Sequence, residues 1–266
     1  MRGYDSPKMK TVPAKNGWLW IVRGFDLFRR SPAMWILLVF AYWMLIRFVN
    51  EVPLVGSLAA TLFLPAFSVS FMVMCEELEL GRRIHPALLF AGFRRGLPTL
   101  VTMGGVYLAS ILTVIALSAI ADGGALFNWV VRATPPPESA VDDGSLARAQ
   151  LLAAVLGTPI AMAFWFAPVL AAWNGMGAGK ALFFSFFAGL RNWRAFLVYG
   201  GVLASAGLVL SMLLSAILHA RGNVDALRLV LFTAALLVLP TLFGSFYAAY
   251  RDVFPPSAAP EEPSTA

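Results

Sequence analysis

The sequence predicts an all-α membrane protein: six transmembrane helices in three parallel-repeat hairpins, each preceded by an interfacial amphipathic helix. Three observations carry this expectation. Of the 266 residues, 59 % are hydrophobic and 13 % charged, where soluble domains average about 45–50 % and about 25 %; the mean hydropathy is +0.76. Long stretches contain no Asp, Glu, Lys or Arg. An aromatic–Gly–Arg stub also recurs ahead of alternate apolar stretches, as RGFDLFRR (23–30), FAGFR (90–94) and FAGLR (187–191). So apolar a chain has too little polar surface to fold as a water-soluble globule, and lipid must cover much of it.

A helix rises about 1.5 Å per residue and the bilayer hydrocarbon is about 30 Å thick, so a span needs about 20 mostly apolar residues. Residues 1–16 are polar and basic and read as a tail that meets anionic lipid. They have no signal-peptide pattern, so the first span is expected to insert and remain. In the first stub, Trp18, Ile21, Val22, Phe25 and Phe28 recur at helical spacing against Arg23, Asp26 and Arg30. That pattern predicts an amphipathic helix in the headgroup layer. Span one is read over 32–50, with Arg47 snorkelling at its end. Span two follows over 53–75.

Glu76, Glu77 and Glu79 then read as a solvated patch neutralised by Arg82 and Arg83, and Cys75 as a small apolar filler. The second stub occupies 86–95 and span three 98–120. A long outer loop, 121–149, carries ALFNWVV, TPPPE and DDGS; Ser145 is the expected N-cap of span four, 150–173. The third stub lies within 180–194, ahead of span five (195–218) and span six (228–250). Residues 17–252 thus form one domain, and 253–266, rich in Pro and Ala, read as a disordered tail.

The even spans share FLPAF (63–67), FAPVL (166–170) and VLPTL (238–242), one proline each. Spans three and five open with the related TMGGVYLAS (102–110) and VYGGVLAS (198–205). The pairs Gly104–Gly105 and Gly200–Gly201 are expected to let helices approach closely. All three units start on the same side, which makes the repeats parallel rather than inverted. Lys and Arg set the orientation: 15 flank the side of the stubs and termini, and Arg47, Arg132, Arg148, Arg221 and Arg228 the other. Both termini are therefore expected in the cytoplasm.

The charge of +6 gathers at span ends, so no nucleic-acid partner is expected. One cysteine excludes an internal disulfide, and two histidines, His85 and His219, leave little for a metal site. NGMGAGKA (174–181) has Asn and Ala where a phosphate loop needs Gly and Ser or Thr, and it reads as a joint. No ionisable residue falls in the middle of a span, which argues against a proton-coupled pump. A pathway lined by Thr158, Ser211, Thr241, Ser245 and Tyr247 stays open as a transport reading. The sequence offers no catalytic, cofactor-binding or metal-ligating residues, and no cofactor is expected.

At VPAKNGWLWIVRGFDLFRRSP (12–32), LPAFSVSFMVMCEELELGR (64–82) and LLFAGFRRG (88–96), the chain resembles a family of six-span bacterial inner-membrane proteins of no assigned activity. More distantly, its layout is similar to the membrane domain that precedes some glycerophosphodiester phosphodiesterases. That likeness implies a phospholipid-linked setting in the inner membrane, without the soluble catalytic barrel. The expected function is non-enzymatic: a lipid-interacting scaffold or a partner of another envelope protein. The alternative is a transporter or channel for a small or amphiphilic molecule.

Overall fold

A computed structural model describes residues 8–53, 55–132, 134–221 and 224–255, and the side chains of all of these except 217–226. The described residues are helical, without strands. In chain order the helices are α1 (Asn16–Arg30), α2 (Pro32–Val49), α3 (Val55–Glu79), a 3-10 helix (Pro86–Arg94), α4 (Leu97–Asp122), α5 (Ala125–Arg132), α6 (Glu138–Asp142), α7 (Ser145–Trp165), α8 (Ala167–Asn174), α9 (Ala178–Arg191), α10 (Trp193–Arg221) and α11 (Val224–Val253). Six helical rods among the described residues are long and apolar enough to cross a membrane, with α7 and α8 together making the fourth.

The spans do not hold one another evenly. Of the most apolar stretch of each, 56 % is buried for α3 but only 6 % for α10. Cohesion comes instead from the short helices at the end that carries the termini. α1 packs along α11 and α10, the 3-10 helix along α3, and α9 along α7 and α8. Each of the three short helices places a glycine against a span. A Cβ on Gly24 would strike the Thr241 carbonyl and the Ser245 amide of α11. One on Gly92 would strike the Ala66 carbonyl of α3, and one on Gly189 would lie 3.2 Å from Met162 of α7.

Buried hydroxyls fasten the same contacts. The Gly92 N–H donates to Ser70 Oγ (2.9 Å), whose own proton goes to the Ala66 carbonyl (3.1 Å). Ser185 of α9 accepts the Phe166 N–H and donates to the Met162 carbonyl, both at 2.8 Å. Those two backbone groups are the ones orphaned where the fourth rod breaks between α7 and α8. Tyr199 and Ser245 pair at 2.8 Å between α10 and α11.

α1 has three faces rather than two. Gly17, Trp20, Gly24, Leu27 and Phe28 are buried against the protein, while Trp18, Val22 and Phe25 stay exposed and Arg23 and Arg30 line a third side. The segment ahead of α1 is docked as well. The Lys10 N–H donates to the Val253 carbonyl (2.9 Å), and Asn192 accepts from the Val12 N–H (2.8 Å) while donating to the Lys10 carbonyl (3.1 Å). At the other terminus Val253 and Phe254 are buried, so packing reaches past 252; residues 256–266, read as a disordered tail, lie outside the described residues.

Four expectations change. The second stub is a 3-10 helix rather than an α-helix, because Pro86 and the seat of Gly92 on α3 leave it only nine residues. Gly104 does meet α3 at the Leu62 carbonyl, but Gly200 and Gly201 face open space, so the α10 pair makes no helix contact. Span four is capped one residue earlier than expected: Gly144 at φ 70° is the N-cap, and Asp143 accepts the Ser145 N–H (2.7 Å), which holds its carboxyl below the usual carboxylate range. The outer loop, expected as an ordinary exposed loop, holds two helices instead: α5 and α6 bury Ala125, Leu126 and Ala140 against Leu146 and Ala149 of α7.

Candidate functional site

α2, α3, α4, α7, α8 and α11 line a half-open cavity of about 370 Å³, bounded by Tyr42, Pro65, Phe71, Tyr107, Trp165 and Phe243 among others. Its walls are predominantly aromatic and aliphatic, which suits an apolar or amphiphilic occupant. Two of the three even-span prolines, Pro65 and Pro168, lie on it, and Phe243 stands three residues past Pro240. Interior prolines leave their i−4 carbonyls without helical donors, and side chains cannot close up as tightly around them.

Trp165 separates this space from a second cavity of about 310 Å³, which is bounded by Thr158, Met162, Gly189 and Phe196. The Trp165 indole N–H is buried and has no acceptor in the structure. Buried donors are normally paired, so this one is a polar handle beside an otherwise apolar space. Tyr42 and Tyr107 add hydroxyls on the cavity wall. Tyr42 packs edge-on to Phe67 and Phe71, and Tyr107 edge-on to Phe164, which fixes both rings.

A different site lies at the terminus-bearing end. Arg23, Asp26 and Arg30 of α1 face Glu79 of α3 and Tyr247 and Arg251 of α11 across a polar cleft of about 230 Å³. Arg251 pairs with Glu79 at 3.3 Å, and the Tyr247 hydroxyl donates to the same carboxylate. Arg23 pairs with Asp252 (3.0 Å), which also accepts from Trp20 Nε1 (2.8 Å) and Asn16 Nδ2 (2.7 Å).

The residues weighed for chemistry in the sequence fall apart in space. Glu77 binds Arg82 (2.5 Å) and Glu76 lies 3.8 Å from Arg95, while Glu79 turns to Arg251; Arg83 takes part in none of these pairs. Lys180 lies over the Phe184 ring. His85 precedes the 3-10 helix in extended backbone, and the side chain of His219 is outside the described residues. Cys75 is wholly buried. Of the polar residues considered for a pathway, Thr158 lines the second cavity, but its hydroxyl, like those of Ser211 and Thr241, bonds its own helix, and Ser245 and Tyr247 are taken up by Tyr199 and Glu79.

The cavity residues Tyr42, Tyr107 and Trp165 went unmarked in the sequence. The available signal was their depth: amphipathic aromatics favour the membrane interfaces, and these three stand well inside their spans.

No family model matches the chain, and no solved structure does. A protein of Burkholderia thailandensis named as a probable inner membrane protein is 37 % identical over 262 residues, which cover 96 % of this chain and 97 % of that one. This chain belongs to that protein's family. Family membership and the six apolar rods together make it a multi-pass protein of the inner membrane. The match extends over nearly the whole of both chains.

Proposed function

We propose that this protein is a non-enzymatic, lipid-interacting scaffold of the inner membrane that holds an acyl chain or similar amphiphile in its mid-bundle cavity. The cavity of about 370 Å³ carries the reading: its walls are predominantly apolar, and its few polar side chains are Tyr42, Tyr107, Trp165 and Ser68, with no ionised side chain on it. An apolar chain gains from leaving lipid for such a space through close packing against fixed rings, and the buried Trp165 N–H donates to an ester or carbonyl oxygen.

The same proposal includes three parallel repeats with interfacial helices and both termini in the cytoplasm. Its support is the recurring contact in which each short helix sits on the even span of the preceding hairpin, and α1 sits on the last span and closes the ring. Exposed Trp18 and Phe25, Phe90, and Phe183 and Phe187 lie on the outward sides of the three short helices, as headgroup-level helices require. The lysines and arginines concentrated at that end favour the cytoplasmic side. The distant likeness to membrane domains of glycerophosphodiester phosphodiesterases points to the same lipid setting.

Native mass spectrometry of gently extracted protein tests the reading. Wild type is expected to carry phospholipid, and Ala161→Trp, which fills the cavity wall, is expected to lose it. Wild type that emerges bare, or a variant that retains its lipid, refutes the cavity assignment. A second reading, transport of an amphiphile, is favoured by the sparse burial of α10, which leaves a span with little to hold it in place. Movement of a labelled lipid across reconstituted vesicles, blocked by Ala161→Trp, would replace the scaffold reading with this one.

A further inference from the structure

The cleft between α1, α3 and α11 presents charges of both signs at the ends of three helices, and we propose that it binds the headgroup of an aminophospholipid, with the phosphate on Arg30 and the ammonium on Asp26 and Glu79. The proposal rests on the lipid-interacting reading above but concerns a different place in the molecule.

Arg23, Asp26 and Arg30 are spaced three and four residues apart, so they share one face of α1. The neighbouring face carries Trp18, Val22 and Phe25, which are 52 %, 38 % and 47 % exposed. A helix that is apolar on one side and charged on the next lies at the boundary between acyl chains and headgroups. The opposite wall comes from Glu79, the last residue of α3, and Arg251, two residues from the end of α11. The cleft therefore sits where the spans end.

The cations of the cleft are not equivalent. Arg23 is paired with Asp252, and Arg251 with Glu79. Arg30 donates to the neutral Leu78 carbonyl (2.7 Å) and makes no ion pair among the described residues. A guanidinium has five N–H donors in a rigid fork, and a carbonyl uses few of them. A phosphodiester accepts such a fork through two oxygens. A purely anionic headgroup would also meet the carboxylates of Asp26 and Glu79 and be repelled. A headgroup with an ammonium two carbons from its phosphate turns both carboxylates into partners. Asp26 spends one oxygen on Arg29 (2.5 Å) and keeps the other; Glu79 is held in position by Tyr247 and Arg251.

The test reconstitutes the full chain in nanodiscs of equal phosphatidylethanolamine and phosphatidylglycerol and counts retained lipids by native mass spectrometry. Wild type is expected to retain phosphatidylethanolamine preferentially. Arg30→Gln should cut retention about tenfold, the size of one lost charge-assisted pair. Asp26→Asn, which leaves the Arg30–Leu78 bond intact, should keep binding and lose the preference, so the proposal does not hang on how well Arg30→Gln folds. Equal or greater retention of phosphatidylglycerol by wild type would overturn the proposal, as would unchanged retention in Arg30→Gln. Free O-phosphoethanolamine that binds as tightly as the lipid would assign the site to a soluble ligand and overturn it too. Lipid lost in Ala161→Trp but kept in Arg30→Gln puts the lipid in the cavity and rejects the cleft; the reverse pattern rejects the cavity and upholds the cleft.

Discussion

Gly92 and Gly201 were both legible as small residues in an apolar setting, yet the structure gives them opposite roles. A methyl on Gly92 collides with the backbone of Ala66, which cannot swing aside, whereas one on Gly201 meets nothing within 4 Å. Gly92→Ala is therefore expected to destabilise by about 1–3 kcal/mol through overpacking. Gly201→Ala should be neutral or stabilise by up to about 1 kcal/mol, because Ala is the better helix former. Thermal unfolding of the two purified variants in one detergent reads the difference, and equal melting temperatures would refute the assigned contacts. The buried serines allow a second prediction. Ser185→Ala removes one side chain and strands two backbone groups, the Phe166 N–H and the Met162 carbonyl. The expected cost is about 1–3 kcal/mol, seen as faster amide exchange around 162–168 with little change in α4. No single-residue rule finds Ser185 in advance, because its partners are 19 and 23 residues away and become neighbours only through the α7–α9 packing.

At the scale of elements, the spans were the most readable feature and their supports the least. A run without charges of bilayer length has one stable fate, so 32–50, 53–75 and 98–120 fall within two residues of the helix starts, at Pro32, Val55 and Leu97. The end of span two was read short: α3 continues to Glu79, where Glu77 pairs with the nearby Arg82 and Glu76 and Glu79 find Arg95 and Arg251. Arg82 was expected from the sequence, while Arg95 and Arg251 are invisible to any local pattern. Span four was read as one rod, but Pro168 and the seat of Ser185 divide it at Phe166. The docked N-terminal segment was equally hidden, since a basic stretch ahead of a span reads as a solvated tail. Asn192, 1 % exposed, holds that segment at Lys10 and Val12 while also donating to the Ala188 carbonyl at the end of α9. Asn192→Ala should release residues 8–15 while the spans stay folded. Limited trypsin digestion would then cut at Lys10 or Lys15 in the variant and spare wild type; equal cleavage of both would show that the clasp does not hold the segment.

Across the whole molecule, the sequence conveyed which parts touch lipid but not what the bundle encloses. Charge bias and span count depend on the chain alone, while the cavity depends on how five of the six rods lean together, and its aromatic wall has the same composition as a solid core. The orientation is the global property most open to a direct test. Ser139 lies exposed in α6, in the loop away from the termini, and Arg83 lies exposed between α3 and the 3-10 helix. The single native cysteine, Cys75, is 0 % exposed, and a thiol without contact to water does not reach an impermeant maleimide. Wild-type cells should therefore give no signal, which leaves each introduced cysteine to report alone. With the termini in the cytoplasm, Ser139→Cys labels in intact spheroplasts and Arg83→Cys only after lysis. Labelling in the reverse order would invert the protein in the membrane and move the charged cleft to the outer leaflet. Labelling of both in intact spheroplasts would contradict the single crossing between the two sites, because the 3-10 helix and α6 are separated by the one span α4.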